Sequence, residues 1–283
     1  MIVTHTIEQC RNEREKLRRV ALVPTMGALH EGHLSLVKIA RQHAPHIVVS
    51  IFVNPTQFGP NEDFAKYPRP IEQDLEMCRE AGVDMVFNPE PAELYPANSP
   101  ELSIGVPQLT QTLEGQCRPT HFRGVCQVVA KLFNIVQPQV ACFGRKDFQQ
   151  LAVIRGMAKA LDCSIEIIGC PIVRDPDGLA KSSRNRYLSP DERTRALSIS
   201  RGLNAAKADF ANGLKETGQL IAMVQTAILD PGNLPDVPVS IDYVAAVDAT
   251  TLRPVVTITG RTAILVAARV GVTRLIDNVV LGG

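Results

Sequence analysis

The sequence predicts an α/β chain, with a doubly wound parallel sheet over residues 1–176 and a smaller α+β domain over 177–283. Three observations carry this expectation. Short strand-like runs in the first half are almost continuously apolar, as strands are when helices cover both faces of a sheet. Stretches with apolar residues at helical spacing separate those runs. Beyond Pro171–Gly178, which reads as a linker, a helix and then turn-separated strands follow.

Val20–Thr25 is the first such strand, ended by Pro24 and the turn at Gly27. Leu36, Ile39, Ala40 and His43 then recur at helical spacing, after a helix start near Gly32. Ile47–Val53 is a second strand, stopped by Asn54-Pro55. Ile71–Ala81 reads as a helix, Val83–Phe87 as a strand and Gly124–Val136 as a helix. Val140–Phe143 is a strand before a helix beginning near Asp147, and Ile165–Ile168 is another strand. Repeated βα units of this kind imply a Rossmann-like sheet with ligands beyond the carboxyl ends of its strands. In the second domain Pro190 sits just inside a helix capped by Ser189, the favoured place for each residue. Val239–Val247 and Ala263–Ala268 are strand-like.

The chain has 283 residues, 45% of them hydrophobic and 21% charged, enough for one full core and a smaller second one. A formal charge of +1 creates no global field toward nucleic acid or a membrane, so neither is expected as a partner and any anion site must be local. Seven cysteines show no CxxC pair and no zinc spacing, which reads as reduced thiols. The first residues lack a signal-peptide pattern, and no apolar run approaches the ~20 residues of a membrane span. The expected compartment is the cytoplasm.

Five segments carry chemistry. Pro24-Thr-Met26-Gly27-Ala28-Leu29-His30-Glu31-Gly32-His33 runs from a strand end into a helix N-terminus, where free N–H groups and the helix dipole favour an anion. Two histidines three apart with two glycines suit a triphosphate better than a metal, because no further ligands and no HExxH motif accompany them. In Gly144-Arg145-Lys146-Asp147-Phe-Gln149-Gln150, Lys146 can neutralise phosphate or carboxylate oxygens and Asp147 can accept from ribose hydroxyls. The two glutamines point in different directions on a helix, so at most one faces a site. Lys181-Ser182-Ser183-Arg184-Asn185 makes a candidate phosphate clamp, with Arg184 as a fixed fork. Asn54 and Gln57, on a proline-stiffened turn, offer neutral donors to a small polar substrate. Arg118 and His121 are candidate carboxylate or phosphate contacts. Each segment alone would equally pass as an ordinary helix start, cap, turn or loop.

In this order the five segments, spanning about Val20 to Leu188, resemble the pantothenate synthetase family, the ligases that join pantoate and β-alanine. Leu275-Ile-Asp-Asn278 adds to the likeness. The family belongs to the HxGH nucleotidyl transferases, related to class I aminoacyl-tRNA synthetases, and Ser182–Asn185 stands where their second signature does. No basic anticodon-binding module follows, which disfavours tRNA charging. The resemblance implies ATP as a substrate with Mg²⁺, a pantoyl-adenylate intermediate and a homodimer. It places Met26 to His33, Gly144 to Asp147, Val173, Lys181, Ser182, Ser183 and Arg184 on ATP. Within that set His33 is the proton donor, His30 and Lys146 are phosphate contacts, Asp147 meets the ribose, and Val173 and Lys181 meet the adenine through backbone groups. Gln57 and Gln150 orient pantoate, and Gln57 also β-alanine. Two residues depart from the family pattern: Lys181 replaces an expected Met or Leu, and Thr120 stands where glycine is common. Another nucleotidyl transferase of the same fold is the alternative enzyme; the Asn54–Gln57 and Lys146–Gln150 segments favour the synthetase.

Overall fold

The structure, a computed structural model, describes residues 1–60, 62–230 and 232–282. The chain divides into two units, Met1–Arg145 with Gln150–Pro171, and Lys146–Gln149 with Ile172–Gly283.

The first unit runs β1 (Ile2–Thr4), α1 (Ile7–Arg14), β2 (Val20–Thr25), α2 (Glu31–His43), β3 (His46–Ile51), α3 (Ile71–Glu80) and β4 (Met85–Phe87). Three one-turn helices follow, α4 (Pro91–Leu94), α5 (Pro107–Thr110) and α6 (Glu114–Cys117). They lead into α7 (His121–Val136), β5 (Val140–Gly144), α8 (Phe148–Ala160, whose first two residues fall to the second unit) and β6 (Glu166–Cys170). The six strands form one sheet in the order β1-β4-β3-β2-β5-β6, and every pairing is parallel.

Alternation along β3 shows why these strands read as unbroken apolar runs. Val48 joins the cluster that holds Val125, Val129 and Phe133 of α7, whereas Ile47, Val49 and Ile51 join Leu36, Val37 and Ala40 of α2. Both faces are buried, so each position gains from being apolar, by about 1.5–3 kcal/mol for a full-sized side chain. From β2 the chain builds β3 and β4 on one side, then returns to place β5 and β6 on the other. The order therefore reverses between β2 and β5, which pair through Ala21↔Val140 and Leu22↔Ala141. A crevice opens beyond the carboxyl ends at such a point. The carboxyl ends of β2 at Thr25 and of β5 at Gly144 lie on its two sides.

The α/β expectation holds, with additions. β1 and α1 were not expected: β1 is three residues long, and among the residues of α1 only Cys10 is fully buried. β3 stops at Ile51 rather than Val53, and α7 begins at His121 rather than Gly124.

The second unit holds a 3-10 turn (Ser183–Tyr187), α9 (Pro190–Ala211), α10 (Thr217–Leu229), β7 (Val239–Asp248), β8 (Thr262–Val270) and β9 (Thr273–Leu281). Ser189 caps α9 in a reciprocal box with Glu192, and Pro190 occupies the first helical position. The strands form an antiparallel sheet in the order β7-β8-β9. Leu203, Leu220, Val224 and Ile228 of the helices share a core with Ile264 and Val266 of β8. The stretch expected as a linker is partly a hairpin: Arg174 bridges Ala180, and the Lys181 N–H reaches the Val173 carbonyl at 2.9 Å. All seven cysteines are free, five of them buried. Among the described residues no helix is long and apolar enough to cross a membrane.

Candidate active site

The loop after β2 is held from beneath. Thr25 donates its hydroxyl to the Ser50 carbonyl (2.8 Å) and accepts from the Gly27 N–H (3.2 Å). The chain then passes through two left-handed residues, Gly27 (φ +78°) and Ala28 (φ +50°). A Cβ at position 27 would lie 2.9 Å from an Asp74 carboxylate oxygen and 3.1 Å from Ile51, so glycine is required by conformation and by space. Asp74 of α3, 1% exposed, accepts the N–H groups of Ala28 (2.8 Å) and Leu29 (2.7 Å). Sequence reasoning missed it. Its signal was a carboxylate three residues after Ile71 and four before Cys78, on the helix face that turns inward.

α2 opens with a capping box made of two imidazoles. His30 Nδ1 accepts the Gly32 N–H (3.1 Å), and His33 Nδ1 accepts the His30 N–H (3.3 Å). Glutamate or glutamine usually fills the second position. Because each Nδ1 acts as an acceptor, the proton of each neutral ring sits on Nε2. The rings lie 4.1 Å apart at 35°. Two imidazole N–H donors thus share the positive end of a helix dipole, an arrangement for a polyanion. Glu31 is exposed in that first turn. Gly144 ends β5, the exposed Arg145 donates its N–H to the Cys170 carbonyl (2.8 Å), and Gln150 is half-buried on α8.

The turn after β3 shows which amide is available. Asn54 is 1% exposed; its Nδ2 donates to Gln57 Oε1 (3.0 Å) and the Gly124 carbonyl (3.1 Å). Its Oδ1 accepts from the Thr56 hydroxyl (2.9 Å) and the Tyr95 hydroxyl (2.8 Å). Asn54 therefore acts as a clamp. By occupying the Gln57 carbonyl oxygen it fixes the orientation of the buried amide, whose Nε2 donates to Met26 Sδ at 3.0 Å. Gly124 permits this approach, since a Cβ there would stand 2.4 Å from the Thr56 carbonyl.

His121 and Arg118 are likewise engaged internally. His121 Nδ1 donates to the Gln57 carbonyl (2.9 Å). Arg118 forks onto Glu62, Nε to Oε1 at 2.6 Å and Nη2 to Oε2 at 2.8 Å. Burial works to raise the Glu62 carboxyl, but the Arg118 guanidinium and the Gly59 amide hold it below the usual carboxylate range. The anion that Arg118 grips is thus the protein's own. Thr120, with φ −96° and ψ −12°, is right-handed and needs no glycine.

In the second unit Lys146 and Asp147 are half-buried and Gln149 is buried. Asn278 Nδ2 donates to the Lys146 carbonyl (2.9 Å). Ser182 caps the 3-10 turn by accepting the Arg184 N–H (3.3 Å), while Ser183 is buried and Asn185 Nδ2 donates to the Ala180 carbonyl (3.1 Å). The departure at Lys181 has a local partner: its ammonium meets Asp175 at 2.6 Å, and Arg193 of α9 joins Asp175 (2.8 Å) and Asp177 (2.8 Å). This ion network ties the Val173–Lys181 hairpin to α9.

A sequence model of the family described as pantoate-beta-alanine ligase matches residues 2–280. The chain belongs to this family. The pantothenate synthetase of Geobacter sp. (strain M21) is 51% identical over 283 residues, covering 100% of this chain and 99% of that one. The crystal structure of pantothenate synthetase from Thermus thermophilus superposes with a TM-score of 0.91 at 42% identity, covering 99% of each chain. The pantoate-beta-alanine ligase of Francisella tularensis, crystallised with beta-gamma ATP and beta-alanine, gives 0.80 at 34% identity, covering 99% of this chain and 97% of that one. The likeness extends well past the Val20–Leu188 stretch that carried it in the sequence.

In this ligase the clamp around Gln57 makes stability depend on pH. Burial, with Arg118 beside it, pushes the His121 imidazole down to about 4. The unfolded chain binds a proton near pH 6.5 and the folded chain only near 4, so stability is fully present above 6.5 and falls as pH drops between those values. The loss should approach about 3 kcal/mol by pH 4. His121→Asn keeps a donor near Nδ1 without titrating. Urea midpoints measured from pH 7 to pH 4 should fall less steeply for this variant; identical slopes would remove His121 as the cause.

Proposed function

We propose that this ligase condenses (R)-pantoate with β-alanine at the expense of ATP, through a pantoyl-adenylate. In the first step a pantoate carboxylate oxygen attacks the α-phosphorus, and the bond to the β-phosphate bridging oxygen breaks to release pyrophosphate. In the second, the neutral β-alanine amine attacks the acyl carbon, the C–O bond to AMP breaks, and the amine loses a proton. Adenylation turns a poor leaving group into a good one, so no protein nucleophile is needed.

The observation that carries this reading is the pair of imidazole caps on α2, set at the crevice where the sheet order reverses. Fixed N–H donors there oppose the charge that develops on the triphosphate. His33 is the proton donor and His30 a phosphate contact. Lys146 neutralises phosphate oxygens, Asp147 holds the ribose, backbone groups of Val173 and Lys181 meet the adenine, and Ser182, Ser183 and Arg184 take the phosphates. Met26–Leu29, Glu31, Gly32, Gly144 and Arg145 line the nucleotide. Gln57, oriented by Asn54, and Gln150 hold pantoate, and Gln57 also meets β-alanine. Arg118 and His121 serve by holding the loops around Gln57. The donors assigned to ATP are amides, imidazoles, hydroxyls and cations, which suit phosphate oxygens; Mg²⁺ accompanies the triphosphate through its oxygens and supplies charge neutralisation there. Residues 177–283 are read as a lid domain, the active species as a homodimer, and its compartment as the cytoplasm.

The decisive assay is AMP release by purified protein with ATP and Mg²⁺, omitting pantoate or β-alanine in turn. Sustained AMP formation that requires both, with pantothenate as product, is expected. AMP formed without β-alanine at the same steady rate, or none with both present, would overturn the two-step reading.

A further inference from the structure

Two polar residues in the middle of β9 have no place in the chemistry so far. Asp277 and Asn278 are each 5% exposed. Aliphatic side chains would hold the small sheet as well, and buried polar groups are costly unless fully bonded. Both are bonded, to segments distant in sequence. Asn278 Nδ2 donates to the Lys146 carbonyl at 2.9 Å, 132 residues away. Asp277 accepts Arg174 Nη1 at 2.6 Å and Nη2 at 2.9 Å, and its Oδ1 also takes the Asn278 N–H at 2.8 Å. Arg174 Nη1 returns to the Gly178 carbonyl at 3.2 Å, within the hairpin that carries Val173 and Lys181.

We infer that Asp277 and Asn278 are positioning residues for adenylation, holding the Lys146 backbone and the Val173–Lys181 hairpin in one frame. The inference rests on the assignment of Lys146 and that hairpin to ATP. A two-pronged Arg–carboxylate bond fixes direction as well as distance. The adjacent amide then sets the height of the Lys146 backbone, from which the ammonium extends. Neither residue touches substrate on this account; both act through segments that do.

The test is a double-mutant cycle read in AMP formation. Asn278→Ala should lower kcat about 10–100-fold, the effect of a misplaced reacting group, with the pantoate KM unchanged. In a Lys146→Ala background the same change should cost less than about twofold, because the group being positioned has gone. A purely structural role would carry its full factor into both backgrounds, and that outcome would overturn the inference. Should Asn278→Ala fail to fold, Asn278→Asp has the same volume but sets an acceptor against the carbonyl, and it carries the same cycle. Asp277→Asn should raise the ATP KM and leave the pantoate KM alone; an equal rise in both would count against it. If Lys146→Ala keeps parental kcat, Lys146 does not act on phosphate, and the inference falls with that assignment rather than through the cycle.

Discussion

His33→Ala is expected to lower kcat by about 10²–10³, or about 3–4 kcal/mol in the barrier, the loss typical of one fixed donor to transition-state charge. The substitution also removes the Nδ1 acceptor that caps the His30 N–H, so part of any loss could come from a frayed helix. His33→Gln separates the two effects. Glutamine is a usual residue at this position of a capping box, so it can restore the cap and the stability, worth about 1 kcal/mol. It does not replace the Nε2 proton at the same place. The alanine variant should thus be both less stable and slow, and the glutamine variant stable and still slow. Steady-state AMP release with urea unfolding on both proteins distinguishes them. Near-parental kcat in either variant would remove His33 from the chemistry.

The second large effect is expected at a residue that is assigned no contact with substrate. Asp74→Ala strips the acceptors from two buried amides, Ala28 and Leu29, in a loop whose backbone is already left-handed at two positions. Leaving buried donors unbonded costs about 1–3 kcal/mol each, so a loss of roughly 2–6 kcal/mol is expected in urea unfolding. The same loop delivers His30 to the helix start, and a shift of about 1 Å there should reduce kcat/KM for ATP by about 10²-fold. Asp74→Asn keeps one carbonyl acceptor and should fall between. If Asp74→Ala matches the parent in both measurements, the carboxylate is not what shapes the loop.

These two residues also mark how far the sequence could be read. His33 stood in a recognisable run at a strand end, with glycines beside it and a helix ahead. Helix periodicity, strand burial and capping are local properties, so the α/β class, the Ser189 cap and the strand end and helix start that bracket Met26–His33 were all legible in the sequence. Asp74 was not, because its meaning depends on which helix face meets which loop, and Ile71–Glu80 reads equally well as a solvated surface helix.

The same division runs through the turn after β3 and the C-terminal strand. Asn54, Gln57, Arg118 and His121 could be singled out as polar residues on turns and loops, but their bonding sorts them. Asn54 and His121 direct polar groups to Gln57, Arg118 sets its fork on Glu62, and the Gln57 Nε2 donates to Met26 Sδ. Lys181 looked anomalous beside its serines until Asp175 appeared 2.6 Å away across the hairpin. β9 escaped notice because its buried positions include an aspartate and an asparagine, which break the apolar alternation expected of a strand. The sequence by itself therefore determined the fold class, the order of the motifs and the family likeness, all of which follow from neighbours within a few residues. Tertiary structure alone decided which polar side chains serve one another, because hydrogen bonds are short and directional and their partners here lie up to 132 residues apart.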